Sequence, residues 1–315
     1  MHVQRDEKGQ VISLYVNNAK LTGDYFFAIS ENQELKILEL GSCEFAAMDM
    51  VPLFKLKHVE SLTLSGDSVS ADVLRQLHRI GALKHMFLQS NRLTNEDLAI
   101  LASLKDTLTS LVLSRSSRLN GDGLRHLASL DKLGMLHINE VALHLPSGTG
   151  EELASLAELK QLEILHLRNT KVSDESLKHL ANVQSLERIA LIETAVSGIG
   201  FRHLTKLPKL IVAVLDASPI TGDGLKEISN CPHLVNLSLN ATLITDLDLQ
   251  HLQALSELRV VSLNKTQVSE EGLQYLLRVP KLQSAKLDDS NVPQGRIREF
   301  NETLYQRRKA DTGTK

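Results

Sequence analysis

Residues 162–180, LEILHLRNTKVSDESLKHL, change their hydrophobic period midway. The first part carries apolar residues as L-x-x-L-x-L, the alternation of a strand that buries one face. The second spaces Leu177 and Leu180 as a helix would, on one side of successive turns. The same change of period returns along the chain. Its strand half reads VISLYV (11–16), LKILEL (35–40), VESLTL (59–64), LKHMFL (83–88), LTSLVL (108–113) and LGMLHI (133–138). It continues as LEILHL (162–167), LERIAL (186–191), LIVAVL (210–215), LVNLSL (234–239), LRVVSL (258–263) and LQSAKL (282–287). Most copies lie 24 residues apart; two intervals stretch to 25 and one to 29.

The second half of each copy is as regular. A small residue follows the strand (Thr170, Thr194, Thr242, Thr266), then an aliphatic one two positions on (Val172, Val196, Ile244, Val268). Ser173, Ser197, Thr221, Thr245 and Ser269 come next, where a side-chain oxygen can accept from free N–H groups at a helix start. Acids such as Asp174, Glu175, Asp246, Glu270 and Glu271 follow, where the helix dipole favours them. One such copy cannot bury its leucines alone, so the copies are predicted to stack, each strand pairing with the next in a parallel sheet.

The form L-x-x-L-x-L-x-x-T-x-V-[ST]-D-x-x-L-x-x-L resembles the leucine-rich repeat family, in particular its ribonuclease-inhibitor-like class. NCPHLVNLSLNATLITDLDLQHL (230–252) is also similar to the cysteine-containing repeats of F-box-associated proteins. The resemblance covers nearly the whole chain and implies an α/β fold: a curved solenoid with a parallel concave β-sheet and convex helices. At about 4.8 Å per strand, about twelve strands would line an inner arc on the order of 50 Å. The expected organisation is an N-terminal cap (1–10), about twelve repeats (11–292), an amphipathic C-terminal capping helix (293–308, with Ile297, Phe300 and Leu304 on one side) and a disordered tail (309–315). The longest interval is an insertion near 141–153, VALHLPSGTGEEL.

Within L-x-x-L-x-L the leucines point to the core and the intervening positions to solvent. That pattern puts His85, Phe87, Arg115, His137, Glu140, His166, Arg168, Arg188 and Asp216 on the concave face. Arginines, histidines and aromatics concentrate in the fourth to eighth copies, whereas later ones carry smaller side chains such as Asn236, Ser238, Asn240, Ser262 and Asn264. Arginine and aromatic residues are favoured binding anchors, so this stretch is the expected partner-binding face. Tyr15 stands apart, near the first copy.

Composition narrows the chemistry. A net charge of −3 on 315 residues argues against a basic nucleic-acid surface. No apolar run reaches the roughly 18–20 residues of a membrane span, and the start MHVQRDEKGQ has no apolar signal core, so a cytoplasmic monomer is expected. Two cysteines, Cys43 and Cys231, are too few and too far apart for a disulfide framework or metal cluster. Cys43 stands where other copies have Thr, and Cys231 at a junction before Pro232, so both read as packing residues. His137 and His166 occupy equivalent positions in adjacent copies, but their spacing matches no metal motif and they read as a polar ladder. NGDGL (120–124) and TGDGL (221–225) lack the Lys-Ser/Thr of a phosphate loop, and no catalytic triad or carboxylate pair is visible. The expectation is a non-enzymatic scaffold, without cofactor or metal, that binds a protein partner. A substrate-receptor or enzyme-inhibitor subunit is the alternative, although the residues before the first repeat are too few for an F-box. Regulation of a nucleotide hydrolase through Arg115 or Arg168 is a third reading, which no motif specifies.

Overall fold

The computed structural model describes residues 1–80, 82–143 and 150–312. The chain divides into two compact units, Met1–Pro146 with Glu158–Leu162, and Ser147–Ala157 with Glu163–Lys315. Each is a leucine-rich repeat solenoid: a sheet on one side, short helical segments on the other, and leucines between.

The amino-terminal unit contains β1 (His2–Arg5), β2 (Val11–Asn17), β3 (Ile37–Gly41), β4 (Ser61–Ser65), β5 (His85–Gln89), β6 (Ser110–Ser114) and β7 (Met135–Asn139), paired in that order. From β2 to β7 the pairing is parallel; Tyr15, Glu39, Thr63, Phe87, Val112 and His137 form one cross-strand row. β1 departs from the all-parallel expectation. It pairs antiparallel with β2 through a turn in which Asp6 Oδ1 accepts from the amides of Lys8 and Gln10 and the Arg5 guanidinium donates to Gly9 O. His2 thereby packs on Tyr15, ring centroids 5.7 Å apart. Opposite the sheet lie α1 (Gly23–Ser30), α2 (Ala71–Leu74) and 3₁₀ segments including Ala47–Lys55, Glu96–Leu104 and Gly121–Leu127.

The carboxy-terminal unit contains β8 (Ile164–Arg168), β9 (Arg188–Ile192), β10 (Val212–Val214), β11 (Asn236–Ser238), β12 (Val260–Ser262) and β13 (Ser284–Lys286). All pair parallel in order, so that His166, Ala190, Val214, Ser238, Ser262 and Lys286 share a row. Its other side carries α3 (Gly222–Ile228), α4 (Leu273–Leu276) and 3₁₀ segments such as Asp174–Asn182, Ile199–His203 and Leu247–Ala254. α5 (Gln294–Thr312) closes the end, with Ile297, Phe300 and Leu304 buried and Arg307 donating to Leu277 O and Leu282 O. It continues past residue 308, where a disordered tail was expected to begin; residues 313–315 lie outside those described.

The pattern leucines fill the interior. Leu186, Ile189 and Leu191 are fully buried, as are Leu35, Leu38 and Leu40; each such side chain contributes about 2 kcal/mol of hydrophobic stabilisation. The helical side is mostly 3₁₀ rather than α. Strands stack about 4.8 Å apart, whereas packed α-helices need about 8–10 Å between axes. A tighter 3₁₀ segment eases that mismatch and covers more length per residue, about 2.0 against 1.5 Å.

In two repeats the small residue after the strand closes the repeat onto itself. The hydroxyls of Thr242 and Thr266 donate to Leu239 O and Leu263 O, at 2.6 and 2.7 Å. Cys43 takes the same place, buried, with its thiol 3.4 Å from Val16 O and 3.5 Å from Gly41 O. Burial pushes the Cys231 thiol up to about 12, with Glu227 adding to the shift. It is therefore a protonated packing group at neutral pH and a poor nucleophile.

Candidate protein-binding face

The site residues predicted from the sequence fall in both units. In the amino-terminal unit His85 and Phe87 project from β5 and His137 from β7, on the outward face of the sheet. Phe87 is half-buried and borders an open depression of about 420 Å³ that includes Asn17, Glu39, Thr63 and Gln89. Arg115 and Glu140 are not on strands. Each stands just after one, in the left-handed backbone region at φ 47° and 56°. They pair with each other, Nε to Oε2 at 3.1 Å, both largely exposed.

In the carboxy-terminal unit, β8, β9 and β10 put three rows on the outward face. Ile164, Arg188 and Val212 form one; His166, Ala190 and Val214 the next; Arg168 and Ile192 the third. Ile164, Ile192 and Val214 are half-buried and Val212 and Ala190 are covered by their neighbours. Arg168 reaches Glu193 at 3.0 Å, with the arginine 55% and the glutamate 41% exposed, a pair worth about 0–1 kcal/mol. Arg188 is exposed and makes no ion pair among the described residues. Ile164 was absent from the sequence-derived set. The signal for it was present, since it lies two positions before His166 and so shares its face.

Asp216, expected from the sequence on the partner-binding face, is engaged by side chains and amides of the next repeat. Its oxygens accept from Ser238 Oγ at 2.6 Å and from the backbone and side-chain amides of Asn240, each at 3.0 Å. Asn240 Oδ1 in turn accepts from Ser262 Oγ and the Asn264 amide, and Asn264 Oδ1 from the Asp288 amide. This run of side chains ties successive strand ends together. The carboxylate thus lies within hydrogen bonds internal to the fold.

The turn residues after the strands have a common cause. Asn169, Glu193, Ala217, Ala241 and Lys265 all adopt φ between 48° and 55°. There the amide of each donates to a carbonyl of the next repeat: Ile192, Asp216, Asn240, Asn264 and Asp288 respectively. The left-handed turn therefore continues the ladder beyond the strand, one residue past β8 and β9 and three past β10, β11 and β12, at a cost of about 1–2 kcal/mol per non-glycine residue. Arg115 does the same with Asn139 O at 3.0 Å.

Burial holds the His166 imidazole below its ordinary range, and the neighbouring Arg168 charge adds to the effect. The neutral form is thus favoured at pH 7. In the unfolded chain the group protonates near pH 6.5. Below that value the unfolded state binds more protons than the folded one, so stability is lost as pH falls toward the folded value and the loss then levels off. Thermal melts of wild type and His166→Gln across pH 7.5 to 5 (roughly the imidazole range) should show the shallower pH dependence in the variant. Parallel curves would refute the assignment.

No three His, Cys, Asp or Glu side chains among the described residues are grouped so that they could hold a metal ion. Nor is any described helix long and apolar enough to cross a membrane. The insertion near 141–153 lies partly outside the described residues, at 144–149.

No family model matches the chain. No curated protein sequence matches it either. Solved structures do. An internalin (InlF) of Listeria monocytogenes aligns over 93% of this chain and 88% of its own, at 17% identity and a TM-score of 0.59. Internalin C2 of the same organism aligns over 64% of this chain and 77% of its own, at 20% identity and a TM-score of 0.47. The plant peptide hormone receptor RGFR1, solved in complex with RGF2, aligns over 92% of this chain and 48% of its own, at 17% identity and a TM-score of 0.47. At these identities the likeness to InlF is one of fold.

Proposed function

We propose that the chain is a non-enzymatic scaffold that binds a protein partner on the outward face of its sheet, with the strands β8 to β10 as the principal contact. The observation that carries this reading is the composition of that face. Ile164 and Val212 flank an exposed arginine, Arg188, that has no ion pair among the described residues, and half-buried Val214 and Ile192 stand one and two rows further along the same face. Apolar side chains around an arginine are the composition of an interface centre, where a few anchors carry most of the energy. Arg168, held by one exposed glutamate, can exchange that contact for a partner carboxylate at little cost. The recognised surface is expected to be apolar with at least one acidic group. His85, Phe87 and the Arg115–Glu140 pair would form a secondary contact area in the amino-terminal unit.

The test is affinity capture from native lysate with wild type, Arg188→Glu and Arg168→Glu, read by mass spectrometry. Both arginines are exposed, so the variants should melt with the wild type. A protein retained by the wild type and lost by Arg188→Glu, with a smaller loss for Arg168→Glu, is the expected result. Identical captures would sink the proposal.

A further inference from the structure

The geometry points to a second binding surface at the open end of the amino-terminal unit, which takes an extended segment of a partner protein with an apolar centre and acidic ends. β1 is the terminal strand, paired among the described residues with β2 alone. A strand edge left open in this way is a template for an added strand. Beneath it lies a groove of about 620 Å³ between the β1–β2 hairpin and α1. Val3, Val11, Tyr25 and Ile29 line it. Val3 and Val11 are half-buried and Tyr25 is 60% exposed, so the end of the core is only partly covered.

The charges choose the occupant. Arg5 and Lys20 carry the only charged side chains in the groove lining, both are exposed, and neither has an ion pair among the described residues. Glu31 and Glu34 line an adjoining depression that shares Arg5, Val11 and Asn32 with the groove, and neither borders the groove itself. Met1, Val3 and Arg5 all line the groove, at alternate positions of the chain. A strand added beside β1 follows the same alternation and lays every second side chain over the groove. Apolar residues there cover Val3, Val11 and Ile29. Carboxylates at the segment's ends meet Arg5 and Lys20, and the matched charges set selectivity and association rate. A segment with basic ends is repelled by the same two residues.

The probe is a short labelled peptide with valine at alternate positions and glutamate at both ends, compared with the same peptide ending in lysine. Fluorescence anisotropy on the full chain should give the glutamate form an affinity at least about tenfold higher, with the preference weakening as salt rises. Lys20→Glu leaves the hairpin hydrogen bonds untouched and should remove most of the preference. Arg5→Glu combined with Lys20→Glu should reverse it. Equal affinities for the two peptides, or no binding of either, overturn the proposal. So does sedimentation equilibrium if the wild type dimerises and Val3→Asp abolishes the dimer, because the occupant is then a second copy of the chain.

Discussion

Gly224→Ala should destabilise the carboxy-terminal unit by about 3 kcal/mol or more, among the largest losses expected from adding a single methyl group. A Cβ at Gly224 would stand 1.9 Å from Ser197 O, 2.8 Å from Ser197 C and 2.9 Å from Gly198 Cα. All three are backbone atoms, so no rotamer change relieves the overlap. Gly198 is left-handed at φ 98° and faces Gly224 Cα in return, which makes the approach glycine on glycine. Alanine is the better helix former by about 1 kcal/mol, so propensity alone predicts the opposite sign. Gly200→Ala should be costly in the same way, its Cβ falling 2.4 Å from Asp174 O. Gly295 in α5 is the control. Nothing lies within 4 Å of its added Cβ, and Gly295→Ala should be neutral or stabilising by up to about 1 kcal/mol. Urea unfolding at constant m would separate the three. A Gly224→Ala midpoint equal to that of Gly295→Ala would contradict the packing argument.

The same region shows which features the sequence displays and which it conceals. The strand registers were legible because a hydrophobic period of two repeats at nearly constant spacing, and Leu186, Ile189 and Leu191 are buried as their positions require. β1 was hidden because HVQR has a single aliphatic residue and shows no alternation. The left-handed turns were hidden as well, since Arg115, Glu193, Ala217 and Lys265 carry no glycine signal, and the conformation is imposed by an amide that must reach the next repeat. The helix starts were half legible. Thr221 and Ser269 accept the expected amides, from Gly224 and Glu271, whereas Ser173 makes no side-chain cap. Ser197 and Thr245 instead donate to aspartates, at 174 and 248. A carboxylate is the stronger acceptor, and the partner of Ser197 comes from the preceding repeat, beyond the reach of any local rule. The candidate face followed the same division. His166, Arg168 and Arg188 project from β8 and β9 as strand alternation dictates, whereas the engagement of Asp216 depends on residues 22 to 24 positions away.

Asp174→Ala should cost about 3 kcal/mol, because this one side chain organises the start of the following repeat. Oδ2 accepts from the Ser197 amide at 2.9 Å and from its hydroxyl at 2.7 Å. Oδ1 accepts from the amides of Gly198 and Gly200 at 3.1 and 2.8 Å. Truncation leaves three amides and a hydroxyl without this acceptor in a half-buried turn; each lost bond contributes on the order of 1 kcal/mol, partly regained from water. Asn at 174 keeps one oxygen and should lose about half as much. Ser197→Ala removes one donor and should cost about 1 kcal/mol in the wild type but almost nothing in the Asp174→Ala background. That coupling separates a hydrogen-bonded anchor from a charge that merely sits nearby. Hydrogen exchange supplies the local readout, since the amides of Gly198 and Gly200 should lose protection in Asp174→Ala ahead of the strand amides of β9. Unchanged protection at both glycines would show that water replaces the carboxylate without loss. The turn would then be held by the Gly198–Gly224 contact alone, which Gly224→Ala tests independently.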